Sequence, residues 1–164
     1  MAQGYPVPKF RFTVSWTNPG LSNSDTIGFT EVSGLDYQID VIEYRTGIDV
    51  GLSKVKLPGM RKFSNVTLKK GVVQGMKESN NDFYKWLDGS GSGTPVQGSV
   101  RSRKDYRKTI TITLLDEESN PVAAWTLMAA FPVKVAFTDM KADANEVGID
   151  TLELAHEGLT LEYK

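Results

Sequence analysis

The chain has 164 residues, no cysteine, and a formal net charge of −1 from 19 basic and 20 acidic side chains. This length fits one domain with a sizeable core. The lack of cysteine excludes disulfides and thiolate metal sites, and the balanced charge argues against a general attraction to nucleic acid or anionic lipid. No apolar stretch suits a signal peptide or a membrane span. We therefore expect a single domain over residues 1–164, made in the cytoplasm without a signal peptide.

In chain order, alternation of apolar and polar residues predicts strands over most of the sequence. The alternating segments are residues 10–16, 35–44, 66–68, 109–114, 125–129, 133–137, 152–154 and 159–163. The apolar parity shifts twice, after Val41 and near Gly158, and a one-residue shift turns every following side chain to the other face. We expect a bulge or a change of partner near Val41 and a bulge at Gly158. The turn residues 116–121 predict a hairpin between their flanking strands.

One segment has the pattern of a helix, over residues 79–88. Ser79 and Asp82 match a capping box, Phe83, Trp86 and Leu87 form one apolar stripe that we expect to pack inward, and Gly89 ends the pattern. The Gly/Ser-rich residues 89–98 predict a flexible loop. The predicted fold class is mainly β, an antiparallel β-sandwich or barrel-like subunit with one short flanking α-helix.

No motif in the sequence supports covalent or metal chemistry. The only histidine, His156, lies in a strand-like run and is expected to be structural or exposed rather than part of a hydrolase site. Residues 89–93 lack the central serine of a nucleophile elbow, and residues 143–154 lack the bidentate glutamate of a calcium loop. We predict no catalytic residue, no metal, no cofactor, and no enzymatic activity.

A basic cluster leaves one binding function open. It consists of Arg101, Arg103, Lys104, Arg107 and Lys108 around Tyr106. An aromatic side chain among cations can stack on a base, so a monomeric β-rich module that binds RNA is an alternative. The balanced overall charge favours an ordinary solvated loop at this place.

Several short motifs, in this order and spacing, resemble the inner tube proteins of contractile injection systems. This family includes bacteriophage tail tube proteins and the tube proteins of phage-tail-like extracellular injection particles. Residues 5–8 and 40–44 are more similar to those of the extracellular particles. The motifs are residues 5–8 (Tyr-Pro-Val-Pro), 10–12 (Phe-Arg-Phe), 29–36 (Phe-Thr-Glu-Val-Ser-Gly-Leu-Asp), 41–44 (Val-Ile-Glu-Tyr), 58–59 (Pro-Gly), 68–72 (Leu-Lys-Lys-Gly-Val), 83–86 (Phe-Tyr-Lys-Trp), Trp125 and 130–132 (Ala-Phe-Pro).

The resemblance implies a structural subunit whose copies form hexameric rings, which stack into a hollow β-lined tube inside a sheath. Its implied partners are further copies of itself, the sheath protein, tube-cap and spike or baseplate proteins, and cargo in the lumen, with no specific nucleic acid and no stable membrane insertion. The implied location is an assembled phage-tail-like particle or virion. An adaptor ring at the spike end of the same machine is the nearest alternative.

Two segments without apolar periodicity are expected to lie on neighbouring subunits, the N-terminal arm of residues 1–9 and an inter-subunit loop of residues 47–62. Together with the resemblance, they predict contacts between subunits and between rings. These contacts are assigned to Tyr5, Pro6, Asp49, Leu52, Lys54, Lys56, Pro58 and Arg61. Polar residues of the predicted helix side, Glu78, Asp82 and Lys85, are assigned to a sheath-facing surface.

Overall fold

The computed structural model describes residues 6–17, 24–48, 50–72, 107–143 and 145–164. Within these ranges every regular element is a β-strand and every pairing is antiparallel, which confirms the mainly β prediction. The predicted helix 79–88 and loop 89–98 lie outside the described residues. The strands are β1 (Phe12–Thr17), β2 (Ser24–Ile27), β3 (Glu31–Ser33), β4 (Tyr37–Tyr44), β5 (Val55–Phe63), β6 (Val66–Gly71), β7 (Lys108–Leu115), β8 (Pro121–Ala136), β9 (Ile149–Ala155) and β10 (Gly158–Tyr163).

Eight strands form the body of the protein. Seven follow one another in the order β2-β1-β7-β8-β9-β6-β3, and β10 also pairs with β8. The first half of β8 pairs with β7 and β10, and its second half pairs with β9. The hairpin predicted around residues 116–121 is therefore confirmed as β7–β8, whereas the predicted strand at residues 133–137 is the continuation of β8.

The core consists of aliphatic side chains from the inward face of this sheet. Alternation in β6 places Val66 and Leu68 inside, and β9 adds Leu152 and Leu154 from the neighbouring strand. Such period-two burial is what a half-buried antiparallel sheet requires. The buried cluster comprises Val14, Val66, Leu68, Ile110, Ile112, Leu127, Ala130, Leu152 and Leu154.

β8 changes partners at a bend near its middle. Ala129 has a positive φ of 53°, which is unusual for a residue with a side chain. The register with β7 shifts between Lys108 and Ile110, opposite residues 127–130 of β8. An extra residue with left-handed backbone increases the local twist of a strand. The two halves of β8 can therefore point in different directions and pair with different strands.

The expected bulge at Gly158 is wrong. Gly158 is the first residue of β10 and pairs regularly with Met128. The parity shift arises because the chain leaves β9 at Ala155 and returns along the other half of β8 as a separate strand. A change of partner resets the facing of the side chains without an inserted residue.

The turn between β7 and β8 is organised by Asp116. Its carboxylate accepts hydrogen bonds from the backbone N–H groups of Glu118 and Asn120 and from the side-chain amide of Asn120. Arg11 braces the same turn by donating to the carbonyl of Glu117. The backbone hydrogen bond from Asn120 is the main cause of a lowered pKa for Asp116, supported by the Asn120 side chain, the Glu118 N–H and the charge of Arg11, against a smaller opposing effect of desolvation.

At one end of β3 and β6, the chain passes into β4 and β5 through a tight crossing at Gly34. Gly34 has a φ of +85°, and a Cβ there would lie 2.1 Å from the carbonyl oxygen of Asn65. Beside it, Asn65 donates to Glu153 of β9 at 2.8 Å, and Ser64 donates to Asp36 at 3.0 Å. These contacts fix the direction in which β4 and β5 leave the body.

His156 completes this junction. Its Nε2 lies 3.1 Å from the carbonyl oxygen of Ser64, its Nδ1 lies 3.1 Å from that of Gly158, and its ring centroid is 5.4 Å from that of Phe63. Phe63 in turn contacts Tyr37 at a centroid distance of 5.9 Å. The histidine therefore joins the β9–β10 turn to the end of β5, in keeping with the structural role expected for it.

Gly34→Ala should reduce the free energy of unfolding by about 2 kcal/mol or more, because the new Cβ adds left-handed backbone strain to a clash with Asn65. Gly28→Ala is the matched control, since a Cβ at Gly28 meets no atom within 4 Å. Denaturant unfolding of both variants measures the difference. Equal stabilities of the two variants would contradict the tight crossing.

The lowered pKa of Asp116 predicts a pH dependence of stability with a definite sign. A carboxyl whose pKa is lower in the folded state contributes stability above its unfolded pKa and loses it as pH falls through its folded pKa. The stability difference between the parent and Asp116→Asn should therefore shrink in acid, measured by denaturant unfolding at pH 6 and pH 2.5. A titration of the Asp116 carboxyl by NMR should give a midpoint below its ordinary value, and a midpoint above that value would contradict the assignment.

Candidate assembly surface

β4 and β5 form a two-stranded ribbon that is separate from the eight-stranded body. They pair from Tyr37 opposite Phe63 to Tyr44 opposite Val55. The segment 47–62 was expected to be a loop, but from Val55 onward it is a strand. Pro58 and Gly59 are accommodated in this strand because, among the described strands, β5 pairs with β4 alone. An edge strand tolerates a proline, which has no N–H to donate.

The bulge expected near Val41 is confirmed, although the additional residue belongs to the opposite strand. Ile39 pairs with Arg61 and Val41 pairs with Pro58, so two residues of β5 oppose the single residue Asp40. One of them, Gly59, lies so close to β4 that a Cβ would meet the Asp40 carbonyl oxygen at 2.9 Å and the Ile42 side chain at 3.2 Å. The ribbon is therefore closely packed at the bulge.

Large apolar side chains are exposed along the whole ribbon and its tip. A two-stranded ribbon without a covered face is only marginally stable in water, and exposed apolar surface of this extent is typical of a binding surface. Leu52, at the tip, is 95% exposed. We call the following set the ribbon surface: Tyr37, Ile39, Val41, Ile42, Tyr44, Ile48, Val50, Leu52, Val55, Leu57 and Met60.

The charged side chains of the ribbon form two ion pairs. Lys62 contacts Asp40 at 2.8 Å, and Lys54 contacts Glu43 at 3.0 Å. Both pairs are exposed, so each contributes little to the stability of the subunit. Lys56 and Arg61 have no ion-pair partner within the part of the chain that the structure describes.

Five of the predicted interface residues lie in or near this ribbon, and a sixth is exposed elsewhere. Leu52 and Lys54 lie at the tip, Lys56, Pro58 and Arg61 lie on β5, and Pro6 is exposed near the N-terminus. The other predicted residues, Tyr5, Asp49, Glu78, Asp82 and Lys85, lie outside the described residues. Sequence analysis did not assign the apolar residues of β4 to the interface, although their shift of parity after Val41 was the available signal.

The basic cluster has a structural role where it is described. Arg107 forms an ion pair with Glu157, and its guanidinium lies 5.3 Å from the centre of the Phe131 ring. Arg107 is thereby held against the body, which leaves it poorly placed to bind phosphate. Its neighbour Lys108 is the first residue of β7.

Other kinds of site were also considered in the described ranges. There, no group of three or more histidine, cysteine or acidic residues is arranged to hold a metal ion. Among the same residues, no helix has the length and apolar character needed to cross a membrane. The ribbon surface is thus the candidate functional site.

Several solved structures share this fold. A chain from the baseplate of the anti-feeding prophage (AFP) is 26% identical, with a TM-score of 0.77 over 98% of each chain. A chain from the PVC sheath–tube complex in its extended state, an extracellular contractile injection system, is 28% identical, with a TM-score of 0.77 over 99% of this chain and 95% of that one. Hcp1 from Flavobacterium johnsoniae is 12% identical with a TM-score of 0.50 over 93% of this chain and 96% of that one, and it shares the fold alone.

Comparison with curated protein sequences gives no match. The model of the T4-like virus tail tube protein gp19 family matches residues 8–160, which is nearly the whole chain and includes the body and the ribbon. The chain therefore belongs to the T4-like virus tail tube protein gp19 family and is a structural tail tube protein of the kind found in contractile injection systems.

Proposed function

We propose that this protein is the repeating subunit of the inner tube of a contractile, phage-tail-like injection system. Copies associate into hexameric rings, and the rings stack into a hollow tube that carries cargo through a target membrane. The ribbon surface carries this proposal, because it exposes a continuous set of apolar residues that a neighbouring copy can cover. Its role is mechanical and involves no catalysis.

The dimensions of such a ring suit a cargo channel. If six subunits each contribute four strands, about 24 strands spaced ~4.8 Å apart and tilted ~40° give a backbone radius of ~24 Å. Side chains reduce this to a channel on the order of 35–40 Å wide, by the same geometry. A channel of this width passes a small folded protein.

The tube has to hold together while the sheath slides over it. Contacts between subunits therefore need the size of obligate interfaces, roughly 2,000 Å² or more, whereas contacts with the sheath need to release. We assign the first kind to the ribbon surface and the N-terminal arm, and the second kind to Glu78, Asp82 and Lys85. Cap and baseplate proteins would meet the ends of the tube, since similar chains come from AFP cap and baseplate structures.

Those same structures keep one alternative open, that the chain forms a single adaptor ring at the spike end. The two functions differ in self-assembly. A repeating subunit forms stacks of many rings, whereas an adaptor stops at one ring. A monomeric RNA-binding module would do neither, and the contacts of Arg107 with Glu157 and Phe131 give it little support.

Removal of the ribbon tests the proposal. Residues 38–62 can be replaced by Asn-Gly, because Tyr37 and Phe63 are register partners and a two-residue turn closes such a pair. The parent protein should form particles of at least six times 18.1 kDa, and hollow rings or tubes in negative-stain micrographs. The ribbonless variant should fold, as judged by its circular dichroism and cooperative unfolding, and stay at the mass of one subunit.

Gln38→Ser and Glu43→Ser serve as controls that keep the ribbon and its apolar side chains, and both should assemble. A parent protein that stays a folded monomer at high concentration, even with its sheath protein present, would contradict the tube function. Normal tubes from the ribbonless variant would contradict the role given to the ribbon and leave the tube function intact.

A further inference from the structure

The apolar side of the ribbon changes from one face to the other at the bulge. Opposite residues of an antiparallel pair point to the same side, and neighbours along a strand point to opposite sides. From the root to the Val41–Pro58 pair just past the bulge, Tyr37, Ile39 and Val41 of β4 share a face with Phe63 and Pro58. Beyond the bulge, Ile42 and Tyr44 share the other face with Leu57 and Val55.

We call the part from the root up to and including the Val41–Pro58 pair the inner half, and the part beyond that pair the outer half. The ion pairs follow the same exchange. In the inner half, Asp40 and Lys62 lie on the face away from Ile39. In the outer half, Glu43 and Lys54 lie on the face away from Ile42. Each half is thus amphipathic, and the two halves are amphipathic in opposite directions, with Arg61 the one charged residue on the inner apolar face.

This exchange has a cause in the sequence and in the backbone. A ribbon that lay on a single neighbour would keep one parity of apolar residues along its length, because the facing alternates with period two. Here the apolar residues of β4 continue directly from Val41 to Ile42, so the parity changes inside a continuous strand. Gly59 permits this arrangement because it leaves room for Ile42 to lie across β5.

We propose that the ribbon is inserted between two different copies of this chain, one covering the inner half on one face and the other covering the outer half on the opposite face. This inference rests on the proposed tube function, which supplies identical copies as the occupants. The inner half lies next to the body and meets a copy within the same ring. The outer half extends farther from its own body and meets a copy in the adjacent ring.

The exposed fractions of the apolar side chains are similar on the two faces, which fits two neighbouring copies, one on each face, better than a single neighbour. Tyr37 and Val41 on the inner apolar face are 54% and 59% exposed, and Ile42 and Tyr44 on the outer apolar face are 53% and 59% exposed. Within the part of the chain that the structure describes, Phe63 of the inner half contacts His156 of the body, and the side chains named above stay about half exposed. A neighbour on one face alone would leave half of these side chains in water.

A cysteine-accessibility scan tests the exchange, because the chain has no cysteine of its own. Single variants Gln38→Cys, Ile39→Cys, Ile42→Cys and Glu43→Cys are incorporated at a low fraction into parent tubes and treated with a maleimide. In tubes, cysteines at positions 39 and 42 should react at least tenfold more slowly than in free subunits, whereas those at 38 and 43 should keep their reactivity. The free subunits are the matched control for each position.

The alternative outcomes are distinct. Slow reaction at 39 and 43 with fast reaction at 42 would mean one continuous cover on one face, and equal reactivity at all four positions would mean no exchange; either result overturns the inference. Failure of the parent protein to form rings or tubes would instead overturn the proposed function, independently of this scan.

Two pairs of substitutions test whether the covers are different copies. Ile42→Ser with Leu57→Ser removes apolar contact from the outer half, and this variant should accumulate as single rings of about six subunits. Ile39→Ser with Val41→Ser does the same to the inner half, and this variant should remain at subunit mass. Light scattering after size-exclusion chromatography measures both, and cooperative unfolding shows that both are folded. Arrest of both variants at the same stage, or normal tubes from either, overturns the inference.

Discussion

The body of this protein depends on β8, which pairs with three other strands. The strand is long enough to pair with β7 and β10 along its first half and with β9 along its second. The positive φ of Ala129 and the register shift opposite it bend the strand where its partners change. Because both halves belong to one strand, Leu127 and Ala130 belong to the same core as Leu152 and Leu154. A body whose two parts share one strand needs no disulfide to hold them together, consistent with a chain that has no cysteine.

The ribbon differs from the body in the exposure of its apolar side chains. Among the described strands none besides β4 and β5 pairs with it, and its apolar residues are exposed on both faces. What fixes it is its root, where Gly34 crosses Asn65 and His156 contacts the carbonyl of Ser64. A subunit with an exposed apolar ribbon tends to associate, because unpaired strand edges and apolar surface favour contact with another chain. Assembly with identical copies makes this contact specific, because in a closed ring the same surface is buried on every subunit.

A tube protein needs strong contacts and no chemistry, and the described residues fit that need. His156 and Arg107, the side chains that first suggested catalysis or nucleic-acid binding, are both engaged within the body. Charges on the ribbon are mostly paired with each other and are exposed, so they steer and orient association more than they strengthen it. The apolar residues between them supply the area on which a permanent interface depends. The family match over residues 8–160 covers the body and the ribbon together, so the ribbon belongs to the family fold.

The sequence by itself determined which residues alternate, and hence the strands other than β2, β3 and β5, together with the β7–β8 hairpin and the bulge near Val41. These are local properties, because the facing of side chains and the chemistry of turns act over a few residues. Only the tertiary structure decided that residues 133–136 continue β8, that the parity shift near Gly158 is a change of sheet partner, and that β5 extends from Val55. The partner of a strand is chosen by distant residues, and no local pattern encodes that choice. The exposure of the β4 side chains likewise depends on which residues pack beside them. The shift of parity in the sequence marked this segment as unusual, but only the fold showed that its apolar side chains are exposed and can form an assembly surface.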